Sequence, residues 1–255
     1  MHTRRSTQLA RGLIAALLAL TLSACASQEP DSADGDLFQY QEPNDPLEEV
    51  NRGIFTFNRG VDTVLLKPAA RGYDQIPAGF RDIIGNFLNH ISLPVVLVND
   101  VAQGEWNRAE DSFARLFVNT FTLGLGDMVP ERHPYHAEDF GQTMAVHGVD
   151  DGFYLVLPLL GPSTARDGAG MVADIFLTPW TYVDNTTTFS ISTTALDGIR
   201  RRHAALGRLE ELERDSVDFY ARLRSLYYQR RQLKIDNQIE SGPDIAGSRS
   251  TASAR

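Results

Sequence analysis

Residues 45–68 read DPLEEVNRGIFTFNRGVDTVLLKP, and the fold class turns on this stretch. Leu47, Val50, Ile54, Phe57, Val61 and Leu65 recur every three or four residues, the spacing that places side chains along one face of an α-helix. Asp45 stands at the N-cap position, Pro46 at the first helical position, and Glu48 can reach back to the cap, so a helix is expected to begin there and end near Lys67-Pro68. The same period returns in Phe80, Ile83, Ile84, Phe87, Leu88 and Ile91, and again in Trp106, Ala109, Phe113, Leu116, Phe117 and Thr120. A long charged helical pattern runs from Leu196 to Glu240, with breaks marked near Gly207 or Ser216. Alternation of period two is scarce, so the expected architecture is mainly α with a long C-terminal helix.

Two short apolar segments fit this pattern poorly: Ile91 to Val98 (ISLPVVLV) and Phe153 to Leu160 (FYLVLPLL), both interrupted by proline. Neither is long enough to cross a bilayer alone. They read either as core segments of a soluble helical domain or as the outer face of a helical assembly in lipid.

The flanks have a different character. Arg4, Arg5 and Arg11 precede the apolar run Leu13 to Leu22, which gives way to small residues, the three regions of a secretory signal peptide over residues 1–24. Leu22-Ser23-Ala24-Cys25 looks like a bacterial lipobox, in which the sole cysteine becomes the acylated first mature residue. Two or more acyl chains anchor a protein stably where one does not. Ala26 follows it where an inner-membrane lipoprotein of enteric bacteria carries Asp, which favours the outer membrane. Residues 25–44 form an acidic tether without hydrophobic period, with an r.m.s. span of about 25 Å. The folded domain is expected over 45–240, and 241–255 repeats the polar character of the tether as a disordered tail.

The formal charge is −9, and removal of the three arginines of the leader leaves 21 basic against 33 acidic residues, or −12. That balance argues against nucleic acid as a partner. Chemistry-bearing motifs are few. Gly161-Pro162-Ser163-Thr164-Ala165 follows an apolar run as a lipase nucleophile does, but it lacks the final glycine, and Pro162 and Thr164 fit the strained elbow poorly. A helix N-cap at Ser163 or Thr164 is the better reading. His133 and His136, beside Glu138 and Asp139, have the residue types of a zinc or catalytic cluster, yet Pro134 resists the helical turn that would align both imidazoles, and a surface loop is favoured. Walker and Rossmann fingerprints do not occur, and no cofactor is expected.

Several blocks together resemble one family, the MlaA (VacJ) outer-membrane lipoproteins. They are Asp45-Pro46 with Asn51-Arg52 and Phe57-Asn58, then Asn86-Phe87, Arg115 to Thr120 (RLFVNT), Asp139 to Thr143 (DFGQT), Gly148, and Tyr154 to Thr164 with Arg166-Asp167. The resemblance covers about Asp45 to Pro179. It implies a ring-like bundle of amphipathic helices set in the outer membrane beside trimeric porins. Through a central amphipathic channel, misplaced outer-leaflet phospholipids would pass to the soluble periplasmic carrier MlaC and on to an inner-membrane ATPase complex, so that lipid asymmetry is maintained without catalysis by this chain. Such a path has a physical rationale. Two lipid tails of about 30 methylenes cost on the order of 25 kcal/mol in water, and a headgroup in dry hydrocarbon is also expensive.

Within that resemblance, Asn51, Arg52, Phe57, Asn58, Asn86 and Asn119 are the candidate channel or lipid-contacting residues, the polar ones having a solvated face or a helix-stabilising hydrogen bond as the alternative. Arg166-Asp167 reads as a structural ion pair or cap, and Asp139 as the cap of a short helix. The family's Gly-rich stretch after Asn119-Thr120, which forms a hairpin controlling the channel, is shortened here to Leu123-Gly124-Leu125-Gly126-Asp127, leaving Gly124 and Gly126 as candidate hinges. The rival functions are a structural lipoprotein scaffolding porins or envelope partners, and a lipid hydrolase using Ser163.

Overall fold

The computed structural model describes residues 44–129 and 132–238; the signal peptide, Cys25, the tether before Asn44 and the tail lie outside the described residues. The architecture is mainly α, as the periodicity predicts. Helix α1 spans Glu48–Val61, and a π-helical turn over Asp62–Leu66 joins it to α2, Lys67–Asp74. Two details differ from the sequence expectation. Asp45 does not cap α1, because its carboxylate accepts from Asn51 Nδ2 at 2.8 Å, from Arg224 at 2.5 Å and from the Tyr220 hydroxyl. Nor does the helix end at Pro68: the wider π turn displaces the carbonyls that the proline ring would strike, and the chain stays helical to Asp74.

Helix α3, Ala78–Gln103, absorbs both the second apolar stripe and Ile91 to Val98, so that segment is regular helix with Pro94 inside it. An interior proline costs about 3 kcal/mol; Leu93 and Val96, both buried beside it, offset the loss. Gly104, at φ +77°, closes the helix. Helix α4, Trp106–Thr120, packs along α3. Helix α5, Phe140–Val146, is capped by Asp139, whose side chain accepts from Gln142 N.

The second apolar segment is not helical. Strand β1, Tyr154–Leu157, pairs antiparallel with β2, Gly161–Thr164, with Tyr154 opposite Thr164 and Leu157 opposite Gly161. Thr164 then caps α6, Ala165–Leu177, accepting from Asp167 N. A 3₁₀ turn over Pro179–Tyr182 leads into α7, Thr187–Ala204. The charged C-terminal pattern is not one long helix: α7 is followed by α8, Arg208–Arg214, and α9, Phe219–Ile235, with breaks at Gly207 and around Ser216. Gly207 adopts φ +81°, and Asp218 caps α9 by accepting from Ala221 N. Both interruptions therefore fall where the sequence marks them.

Tyr154 and Val156 of β1 form an apolar cluster with Tyr220, flanked by Ile54, Phe55, Tyr227 and Tyr228. The rest of the interior is unusual. Among the described residues fifteen polar or charged side chains are buried against ten apolar ones, whereas soluble domains rarely bury charge. Apolar side chains stand outside instead: Val64 and Phe121 are each 79 % exposed, Leu123 73 % and Trp106 69 %. Exposed apolar surface on this scale marks contact with lipid or another protein. Among the described residues no helix is long and apolar enough to cross a membrane.

Candidate functional site

The buried carboxylates of the interior are each held by hydrogen-bond donors. Asp100 accepts from Ser112 Oγ at 2.6 Å and from His136 Nε2 at 3.0 Å. Glu138 pairs with Arg108 at 2.6 Å and accepts from Gln103 Nε2 at 3.0 Å. Arg231 of α9 makes two 2.7 Å bonds to Asp139 and a third to Asp167, joining the α5 cap to α6. Burial raises the Asp139 pKa, but the Arg231 guanidinium outweighs it and holds the carboxyl below its ordinary value. This crossing requires glycine: a Cβ on Gly170 would lie 2.4 Å from the backbone nitrogen of Gly141.

Beside this network lies a half-open cavity of about 380 Å³, within the roughly 300–1,000 Å³ range of small-molecule sites. One wall is apolar, made by Leu88, Ile91, Val95 and Val96 on a face of α3 together with Trp180. Facing residues from α7 are Ser190, Thr193 and Thr194, small hydroxyls that leave room. Charged groups line the remainder: Asp197, Arg200 and Arg201 from α7, Asp174 from α6, Lys234 from α9, and Glu138 and Asp139 from the loop before α5. Arg200 and Arg201 both pair with Asp197, at 2.6 and 2.5 Å. Asp174 accepts from Phe140 N at 3.1 Å and from Asn99 Nδ2 at 3.2 Å, and burial pushes its pKa up to about 6. Burial likewise lowers the Lys234 pKa.

None of the six candidate contact residues lines this cavity. Asn51 is buried and pins α1 to β1: its Nδ2 donates to Tyr154 O at 3.1 Å and its Oδ1 accepts from Val156 N at 2.9 Å. Asn58 does the same two turns further along the same helix face, donating to Leu157 O at 2.9 Å and accepting from Leu159 N at 2.8 Å. Arg52 pairs with Glu48 and Asp218 and stacks on the Tyr220 ring, 4.4 Å from its centroid. Phe57 is 56 % exposed. Asn86 and Asn119 come together at the shortened Gly loop, where Asn86 donates to Leu125 O and Asn119 Oδ1 accepts from Met128 N. Gly124 there has φ +74°, and a Cβ on it would lie 2.6 Å from the His90 side chain, whereas Gly126 has ordinary room.

The catalytic alternatives have no suitable geometry. Ser163 is fully buried and its hydroxyl donates to Thr164 O at 3.3 Å. The zinc or catalytic reading of His133 and His136 fares no better, and the surface-loop reading needs correction: His136 is buried, with Ser112 and Asp100 both on its Nε2. A general base needs its two ring nitrogens for two different partners. His133 pairs separately with Asp111 at 2.7 Å. Among the described residues no group of His, Cys, Asp and Glu is arranged to hold a metal ion.

Periodicity misses the cavity residues because they come from five separated segments. One local signal exists: Asp174 is an acid in the otherwise apolar run Met171 to Leu177, and an ionisable residue in such a run is a functional candidate.

Comparison with known proteins places this arrangement. The MlaA lipoprotein family matches residues 43–234. An intermembrane phospholipid transport system lipoprotein, MlaA, of Haemophilus influenzae is 31 % identical over 88 % of this chain and 90 % of its own length. Its namesake from Escherichia coli K12 is 33 % identical, covering 82 % of each chain. A solved structure described as the structural basis for maintenance of bacterial outer membrane lipid asymmetry superposes with a TM-score of 0.67 at 33 % identity, covering 75 % of this chain and 98 % of that one. The chain therefore belongs to the MlaA lipoprotein family.

Proposed function

We propose that this protein is an outer-membrane lipoprotein, anchored through acylated Cys25, that withdraws phospholipids misplaced in the outer leaflet and hands them to a periplasmic carrier of the MlaC type. The observation that carries the reading is the pairing of a polar interior with an apolar exterior around a two-walled cavity. A phospholipid is itself two-sided. Its tails lose no hydrophobic stabilisation against the α3 wall, and its headgroup keeps polar partners opposite, so neither half meets the wrong medium. The names of the Haemophilus and Escherichia relatives, which place them in an intermembrane phospholipid transport system, support the same direction.

In this reading Asn51, Arg52, Asn58, Asn86 and Asn119 act through the frame, holding the hairpin and the Gly124 loop, while Phe57 faces lipid or a porin trimer. Gly124 is the hinge candidate whose backbone only glycine adopts at low cost. Transport needs no covalent step by this chain.

The test is surface phospholipid, measured with a membrane-impermeant headgroup reagent on cells with and without the gene. Deletion is expected to raise the signal, and the wild-type gene to restore it. Val95→Trp, which fills the cavity from the α3 wall, is expected to fail in restoration although the protein accumulates normally. Unchanged surface phospholipid on deletion would favour the scaffolding function instead.

A further inference from the structure

The ionic side of the cavity is not uniformly paired. Asp139 is neutralised by Arg231 and Glu138 by Arg108. Two groups remain. Asp174 accepts only from an amide and a backbone N–H, and among the described residues no cation lies within ion-pair reach of it. Lys234 has no carboxylate within ion-pair reach of its ammonium among the described residues; its charged neighbours are Asp139, already bonded to Arg231, and Arg231, Arg201 and Arg230. Close by, two guanidiniums share the single carboxylate of Asp197, a local excess of positive charge. Both unpaired groups line the same cavity, on different helices, and are not bonded to each other.

We propose that this cavity selects a zwitterionic phospholipid bearing a primary amine: Lys234, with Arg201, receives the phosphate, and Asp174 receives the ammonium. The inference rests on the transport reading above and adds the headgroup class to it. The pairing follows from charge balance. An anionic headgroup would satisfy Lys234 and leave Asp174 beside a second negative charge, and a lone cation would satisfy Asp174 and leave Lys234 without a bonded anion. A zwitterion answers both at once. Burial raises the pKa of Asp174 and lowers that of Lys234, in keeping with two charges that have no ion-pair partner among the described residues.

The experiment uses the full-length acylated protein in detergent micelles. The probes are tail-labelled phosphatidylethanolamine, its N-acetyl derivative, which keeps the phosphate and loses the ammonium, and phosphatidylglycerol. Wild type is expected to bind the ethanolamine lipid about tenfold more tightly than the other two, the usual size of one charge-assisted contact. Asp174→Asn is expected to abolish that preference, Lys234→Met to weaken all three lipids about tenfold, and Lys234→Arg to restore binding. Equal wild-type affinity for the ethanolamine lipid and its N-acetyl form overturns the headgroup assignment while leaving transport intact, whatever the variants do. If wild type binds none of the probes, the transport reading fails and this inference with it.

Discussion

Asn51 commits its whole amide to the fold. Its Nδ2 serves Asp45 and Tyr154 O, and its Oδ1 serves Val156 N, so α1, β1 and the Asp45–Tyr220–Arg224 group meet on one side chain. Removing it leaves a buried N–H and a buried carbonyl without partners, and Asn51→Ala is expected to cost about 3 kcal/mol in denaturant unfolding of the detergent-solubilised protein. Asp174 works in the opposite sense. Its carboxyl is raised from 3.8 to about 6 by burial, so the folded protein binds that proton more tightly than the unfolded chain. Its contribution is therefore lost as pH rises from about 4 through 6. Asp174→Asn is expected to flatten that part of the stability curve and to add about 1–3 kcal/mol at pH 7. A stability gain accompanied by loss of headgroup preference would identify a residue kept for function at the expense of the fold. Asp139, lowered by Arg231, behaves as an ordinary paired acid: its stabilisation is full at neutral pH and declines only below about 3.8.

At the scale of elements, α4 shows how one helix serves two media. Its inner face buries Ala109, Ser112, Arg115 and Asn119. Its outer face carries Phe113, Phe117 and, just beyond the helix, Phe121, with ring centroids 6.3 and 5.6 Å apart in sequence. These rings are 58, 59 and 79 % exposed. They therefore add little to the fold, and in the proposed function they meet lipid or a partner. Replacing all three by Ser in a Cys25→Ala background, which removes the acyl anchor, is expected to weaken vesicle binding by about 2 kcal/mol per ring in flotation assays. The unfolding midpoint should move little, and a large loss of stability would mean that the rings are core. The hairpin is the counterpart: its Tyr154 and Val156 point into the cluster with Tyr220, while Leu159 and Leu160 at the turn stay exposed.

For the whole molecule the governing feature is where charge lies. Arg231 links the α5 cap Asp139 and the α5 residue Gln142 to the α6 residue Asp167 from the far end of the chain. Arg231→Met leaves the half-buried Asp139 without its cation and the buried Asp167 with Arg166 alone, and is expected to destabilise by about 3 kcal/mol. Arg231→Lys should not rescue this in thermal unfolding, since one ammonium cannot reproduce a fork that reaches two carboxylates. A polar interior of this kind would be a poor choice in water, where apolar burial drives folding. It is consistent with the proposed function, in which the outer surface meets lipid and the cavity takes a headgroup.

Helix, cap and break positions were legible from local chemistry, because each depends on residues a few places apart: the stripes of α1, α3 and α4, the caps at Asp139 and Thr164, and the interruptions at Gly207 and Ser216. The family was legible for a related reason, since its blocks are contiguous strings. What a string does not carry is partnership across distance. Asp45 leaves its capping role for Tyr220 and Arg224, 175 and 179 residues away. Phe153 to Leu160 becomes the first strand and turn of a hairpin, its backbone hydrogen-bonded by Asn51 and Asn58. The cavity exists because α3, α6, α7 and α9 each contribute one face. Local preferences act through neighbouring residues and are written in order along the chain, whereas burial and charge pairing depend on which distant groups meet once water or lipid has been excluded.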